Sequence, residues 1–348
     1  MMSRDSLLHC FVIRGSWIVD GGWWMVDGDA RRVFMLQPEI QVVNLARRRL
    51  LGTAAGVAVL VAMNKKKAHA QSPALLKRPI PRTGEMLPAV GVGTWQTFDV
   101  GVESPERAEL GELLRLLVEG GGSVVDSSPM YGEAERVAGD LSAELRLREK
   151  LFFATKVWTR GRDAGIRQME SSLRLMRTRR IDLMQVHNLQ DVGVHAKTLR
   201  EWKDAGRIRY LGITHYHAGT YGDLERLVTS REWDFVQFNY SMAEREAEAR
   251  LLPACAESGV AVIANRPFSM GALFPRVRGK ELPAWAAEFD CASWAQFFLK
   301  YILSHPAVTC AIPGTRRAAH LKDNLQGGTG RLPDAKTRRR MVEYLEGL

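Results

Sequence analysis

The feature that most limits how this chain can fold is a repeat. Short runs rich in Val, Ile and Phe recur at residues 89–93, 123–127, 151–157, 181–187, 210–214, 235–239, 261–265 and 309–313, with stretches of helical spacing between them. From 123 to 261 the runs begin about 24 to 30 residues apart, which is room for one strand, one helix and two short loops. The last interval, 261 to 309, is longer and leaves space for an inserted loop around residues 268–283. Several runs are apolar at every position, as strands covered on both faces must be. Leu110, Leu113, Leu114 and Leu117 fall on one helical face, as do Ile166, Met169, Leu173 and Met176. Eight such units predict a parallel (β/α)8 TIM barrel, in which functional residues gather at the C-terminal ends of the strands. The rival is an open doubly wound sheet, which calls for GxGxxG after the first strand. Gly91-Val92-Gly93-Thr94-Trp95 is too short for that fingerprint.

Composition removes several classes of function. The formal charge of +10 divides evenly, because residues 1–70 hold 10 Lys/Arg against 5 Asp/Glu and the remaining 278 residues carry the other +5. A large domain that is only mildly basic gives no reason to expect a nucleic-acid partner. Cys10, Cys255, Cys291 and Cys310 show no CxxC and no His/Cys ligand spacing, so neither a disulfide framework nor a metal site is expected.

Three regions follow from the pattern. Residues 1–34 show no sustained period and read as a non-native or disordered extension. Residues 35–70 run from a charged stretch through a 14-residue apolar run, 50–63, to Ala68-His69-Ala70, and the run is too short to span a bilayer. With Arg47 and Arg48 ahead of it, this segment resembles a twin-arginine export signal cleaved before Gln71, which implies a periplasmic protein that meets the membrane only through export or an uncleaved signal. The alternative is a basic, weakly hydrophobic tail on a cytoplasmic protein. Residues 71–348 form the barrel.

The expected strand ends hold an unusual set of polar residues. The second run ends in Asp126-Ser127-Ser128-Pro129-Met130-Tyr131, the third in Thr155-Lys156-Val157-Trp158 and the fourth in Gln185-Val186-His187. Alone, Asp126 reads as a capping group, Tyr131 as a rim aromatic, Lys156 as half of an ion pair and His187 as a core histidine. Four at adjacent strand ends point instead to one reaction centre.

These residues resemble the aldo-keto reductase family over nearly all of residues 75–326. The likeness is carried by the hairpin-like opening at 77–85, Gly91 to Trp95, Asp126 to Glu135, Ala154-Thr155-Lys156, Ile181 to His187, Gly212-Ile213-Thr214, Gln237 to Tyr240, and Ile312 to Arg316 through Asn324. It implies a barrel plugged by an N-terminal hairpin. It also implies NADPH-dependent reduction of a carbonyl with the catalytic tetrad Asp126, Tyr131, Lys156 and His187. In that scheme Tyr131 is the general acid, Lys156 lowers the phenol's pKa, Asp126 holds Lys156, and His187 positions the substrate oxygen. The resemblance places the cofactor against Thr214, Gln237, Gly314, Thr315, Arg316 and Asn324, with Arg316 or Arg317 facing a 2′-phosphate. It places Trp95 and Trp158 in the substrate pocket. His215, Asn265-Arg266 and Asn188-Leu189-Gln190 depart from the commoner family pattern, and Asn265 takes the place of a tyrosine that stacks on the nicotinamide. The expected partner is a small carbonyl compound, and the expected assembly a monomer or small homo-oligomer. A second class, a nucleotide-binding barrel serving as a redox-sensing or interaction subunit, is disfavoured by the complete tetrad.

Overall fold

A computed structural model describes residues 74–348 together with the backbone of three short strands in the N-terminal extension. Those strands, Ser16–Val19, Gly22–Val26 and Val33–Met35, pair as an antiparallel meander. They hold three to five residues each, too few to show a period of two. The rest of the extension and the export-signal reading of residues 35–70 lie outside the described residues.

The repeat becomes a barrel. Eight parallel strands follow in sequence order: β1 (Val92–Gly93), β2 (Val124–Asp126), β3 (Phe152–Val157), β4 (Ile181–His187), β5 (Ile208–His215), β6 (Phe235–Asn239), β7 (Ala261–Asn265) and β8 (Val308–Ala311). The sheet closes where Val90 bridges Ala311, with the Gly91 N–H donating to the Ala311 carbonyl at 2.9 Å and the Ala311 N–H to that of Ala89 at 2.9 Å. β1 is shorter than its apolar run, and within that run a Cβ on Gly91 would stand 2.6 Å from that of Val124 on β2. Every residue of β3, β4 and β6 is buried, as a parallel sheet under helices requires.

Helices cover the outside: α1 (Glu106–Glu119), α2 (Ala134–Glu144), α3 (Arg162–Leu175), α4 (Val192–Asp204), α5 (Tyr221–Thr229), α6 (Leu251–Ser258), α7 (Trp294–Leu303) and α8 (Ala318–Gly327). A ninth, α9 (Ala335–Glu346), lies beyond the repeat and is capped by the Asp334 carboxylate on the Thr337 N–H at 2.7 Å. The long interval between β7 and α7 holds only short helical turns, including Leu273–Arg276, and is the inserted loop.

One apolar layer lies between strands and helices and a second fills the barrel. The N-terminal mouth is stoppered by a hairpin, Lys77–Pro79 against Met86–Pro88, whose Ile80 and Leu87 join the interior cluster with Phe152, Tyr210 and Phe235. Near that end, the buried acids Asp182 and Asp234 accept the N–H groups of Phe153 (2.8 Å) and Leu211 (3.0 Å) and are matched by Arg209 and Lys203. Polar groups at the opposite end are free for another task.

Candidate active site

The C-terminal mouth holds a cleft of about 740 Å³. Its walls include Asp126 from β2, Lys156 from β3, His187 from β4, Thr214 from β5, Gln237 from β6 and the β8 loop through Gly314, with Tyr131 supplied by the loop between β2 and α2. A second cavity, about 760 Å³ beside α7 and α9, contains none of the tetrad and is lined by groups that pair with one another, such as Arg338 with Glu248 at 2.7 Å.

The tetrad is compact. Lys156 Nζ donates to Asp126 Oδ2 at 2.7 Å and to the Ser127 carbonyl at 2.5 Å, and stands 5.1 Å from the centre of the Tyr131 ring. Gln185 Nε2 reaches the other Asp126 oxygen at 3.3 Å. The rings of Tyr131 and His187 meet edge-on with centres 6.0 Å apart. Tyr131 is fixed by its own loop. Asp99 accepts the Glu133 N–H at 2.9 Å, and Gly132 between them has φ +57°, where a Cβ would fall 2.1 Å from Asp99 Oδ1. Asp99 is a positioning residue that sequence reasoning missed, since nothing local links it to a tyrosine thirty-two positions later.

The charges sort themselves by environment. Burial works against the Lys156 ammonium, but the Asp126 carboxylate beside it, helped by Tyr131, leaves its pKa above the usual value. Burial also raises the Tyr131 pKa, and the opposing Lys156 charge does not cancel it, so the net shift is upward. Lys156 acts in the expected direction and lowers the phenol's pKa, but burial outweighs it. Desolvation outweighs one neighbouring ammonium, because Asp126 already neutralises that ammonium.

The sequence matches the model of the aldo/keto reductase family over residues 89–339. The chain belongs to that family. It is 30% identical over 249 residues to the methylglyoxal reductase YeaE of Escherichia coli (strain K12), covering 68% of this chain and 84% of the relative. A thermostable aldo-keto reductase solved in complex with the inhibitor epalrestat superposes with a TM-score of 0.65 at 26% identity, over 78% of this chain and 100% of that one. An aldo-keto reductase from Klebsiella pneumoniae, solved in complex with NADPH, gives a TM-score of 0.64 at 24% identity over 78% and 96% of the two chains. Membership makes the protein an oxidoreductase acting on carbonyl compounds.

Within this reductase, His187 is neutral. Burial, then the Lys156 ammonium and His215, push its pKa down to about 3. Ser128 Oγ accepts the Met130 N–H at 3.3 Å and lies 3.1 Å from His187 Nδ1, so its own proton is available for Nδ1. With the serine hydroxyl donating to Nδ1, the imidazole proton sits on Nε2. The unfolded chain takes up a proton near pH 6.5 and the native chain does not until about 3, so stability falls as pH drops through this window. The full loss is about 5 kcal/mol for such a shift. In urea titrations across that window, His187→Gln is expected to flatten the dependence, and an unchanged slope would show that the histidine is not neutral.

Other expected site residues are placed as follows. Thr214 and Gln237 are buried in the cleft wall, and Gly314 and Arg316 border it. Thr315 and Asn324 are buried but are not among the residues lining the cleft. Arg316 donates to both Glu106 oxygens at 3.1 Å and to the Gln96 carbonyl at 2.7 Å, while Arg317 is exposed with no ion pair among the described residues. Trp95 lines the cleft; Trp158 stands beside it, its ring centre 6.3 Å from that of His187. The inserted loop adds Phe268, Met270 and Phe274, and the β2–α2 loop adds Met130, none singled out from sequence because apolar residues in loops carry no periodic signal.

Proposed function

We propose that the protein reduces an aldehyde or ketone to an alcohol with NADPH, Tyr131 giving the proton to the carbonyl oxygen. The observation that carries this reading is the buried Asp126–Lys156–Tyr131–His187 cluster opening into an apolar-rimmed cleft. The cleft suits a nicotinamide. Gln237 Oε1, Asn188 Oδ1 and Asn265 Oδ1 are buried acceptors without a partner in the wall or beside it, and a carboxamide brings N–H donors to them. Thr214 and Gln237 would hold that carboxamide, and Gly314, Thr315, Arg316 and Asn324 the adenosine end, near the N-terminus of α8.

Bound NADPH supplies the hydride. The chain supplies the rest: His187 offers an Nε2 proton to orient the carbonyl oxygen, and Tyr131, kept protonated by its raised pKa, donates to that oxygen. As the phenol loses its proton, the Lys156 ammonium stabilises the resulting charge, and Asp126 keeps Lys156 in place. Loss of nicotinamide absorbance with a panel of aldehydes and ketones tests the reading; tight NADPH binding without oxidation across the panel would reject it.

Coenzyme choice is assigned to Arg316, whose guanidinium would exchange Glu106 for a 2′-phosphate. A charged hydrogen bond contributes about 1.5–3 kcal/mol, so Arg316→Ala is expected to weaken NADPH roughly 10- to 100-fold and to leave NADH nearly unchanged. Equal losses for both coenzymes in a fluorescence titration would make the arginine structural and leave Arg317 as the candidate.

We propose further that the barrel reaches the periplasm through the twin-arginine route, which carries folded proteins and would let the cofactor bind before export. Arg47 and Arg48 ahead of residues 50–63 support this. Among the described residues no helix is long and apolar enough to cross a membrane. Replacing both arginines by lysine is expected to hold the protein in the cytoplasm, and unchanged export would sink the assignment.

A further inference from the structure

Five acidic side chains are buried among the described residues, and four of them meet a cation: Asp126 with Lys156, Asp140 with Arg177, Asp182 with Arg209 and Asp234 with Lys203. The fifth, Glu135, does not. It is 1% exposed and forms no ion pair among the described residues; its Oε1 instead accepts the Thr155 hydroxyl at 2.5 Å, and Ser172 of α3 stands beside it as a second hydrogen-bonding neighbour. Burial raises its pKa above the ordinary carboxyl value. For packing alone a carboxyl is a poor choice there, since an apolar side chain of similar volume fills such a site without the cost of desolvating an acid.

The bond of Glu135 joins the two segments that carry the proton donor and its cation. Glu135 lies in the first turn of α2, four residues after Tyr131, and the turn between them is closed by the Ala134 N–H donating to the Tyr131 carbonyl at 3.1 Å. Its partner Thr155 immediately precedes Lys156 in β3. Side chains alternate across a strand, so Phe152 and Ala154 point into the barrel with Lys156, while Phe153, Thr155 and Val157 face the helices. The hydroxyl bond therefore runs behind the sheet, from the helix that follows Tyr131 to the strand that carries Lys156. The far end of β3 is held from α3. One turn before Ser172, the Gln168 side chain accepts the Trp158 N–H at 2.6 Å and donates to the Trp158 carbonyl at 3.2 Å.

We propose that Glu135 is a positioning residue of the reaction centre, which through the Thr155 hydroxyl ties the Tyr131 segment to β3 and so fixes the approach of the Lys156 ammonium to the phenol. The role rests on the carbonyl-reductase reading, in which Tyr131 gives the proton and Lys156 stabilises the charge left behind. Lys156 Nζ stands 5.1 Å from the centre of the Tyr131 ring, and the attraction of an ammonium for a phenolate weakens with distance, so slack in either segment reduces it. A misplacement of about 1 Å can cost 10²-fold in rate, and with Asp99 still holding the loop after Tyr131 the loss of this one tether is expected to cost about 10-fold.

The test uses the full chain with NADPH bound. Thr155→Val exchanges the hydroxyl for a methyl group and Glu135→Leu removes the acceptor, whereas Glu135→Gln keeps an acceptor oxygen for Thr155. With benzaldehyde, at a temperature where each variant is folded, Thr155→Val and Glu135→Leu are expected to lower kcat about 10-fold with both KM values within about twofold of wild type, and Glu135→Gln to recover most of the rate. Fluorotyrosine incorporated throughout the chain reports the phenol directly by fluorine NMR, the Tyr131 signal being the one lost in Tyr131→Phe. Its titration midpoint should move to higher pH in Thr155→Val and Glu135→Leu but not in Glu135→Gln, because a looser ammonium favours the phenolate less. Lower melting temperatures with kcat and midpoint unchanged would overturn the proposal and make the bond a feature of the fold alone. So would equal losses in Glu135→Gln and Glu135→Leu, which would assign the effect to the carboxyl's charge and not to its bond with Thr155. If Glu135→Leu fails to fold, Thr155→Val decides the matter. A midpoint that moves as expected in a protein that reduces no aldehyde or ketone would support the tether and count against the reductase reading, so the two failures are distinguishable.

Discussion

Tyr131→Phe is expected to lower carbonyl turnover by about 10² or more while NADPH affinity stays within a few-fold of wild type, the scale on which a general acid contributes. The phenol is the one group in the cluster that can give a proton to the substrate oxygen. Lys156 is committed to Asp126 and the Ser127 carbonyl, Asp126 accepts from Lys156 and Gln185, and His187 is neutral down to a pH of about 3. The substitution removes one oxygen and keeps the ring, so its edge-on contact with His187 and the cation over its face survive. Single-turnover measurements with NADPH in place separate chemistry from binding. Undiminished turnover would remove Tyr131 from the mechanism.

Lys156→Met should cost both activity and stability. Asp126 is 3% exposed, and without the ammonium at 2.7 Å its only side-chain donor among the described residues is Gln185 at 3.3 Å. Breaking a buried pair in this way typically costs about 3–5 kcal/mol. Adding Asp126→Asn neutralises the stranded charge, so the double variant should recover most of the stability and none of the activity. Recovery of both would show that the pair serves the fold alone. The raised Lys156 pKa also sets an alkaline limit: its contribution is complete below the ordinary value of 10.5 and is lost as pH rises through the higher folded value. Loss of the ammonium pushes the Tyr131 pKa further up, so the limb of the rate profile that reports its deprotonation should move to higher pH.

Much of this was legible because the repeat is coarse. Strands β4, β6 and β7 have the bounds of their apolar runs, since a parallel strand buried on both faces is written as an unbroken hydrophobic segment. β1 is shorter than its run of residues 89–93, in which Val90 makes an isolated bridge to Ala311 and Gly91 packs closely against Val124 of β2. The tetrad was legible for a related reason: barrel topology sends the ends of β2, β3 and β4 to one mouth, so adjacency in the repeat becomes adjacency in space. Arg266 was visible only as a departure from a family pattern. Pairing over long separations is likewise invisible locally: Glu106, which accepts from Arg316, lies 210 positions from it in sequence.

By itself the sequence determined the (β/α)8 class and the four side-chain types at the strand ends, because each is encoded in local spacing or in residues standing next to a strand, while the hairpin ahead of the barrel was implied only by the family resemblance. Only the tertiary structure decided how those side chains behave. Tyr131 lies on the protonated side of its balance because burial around the assembled cluster outweighs a lysine that Asp126 has already neutralised, and a sum of desolvation and charge has no value until the chain is folded.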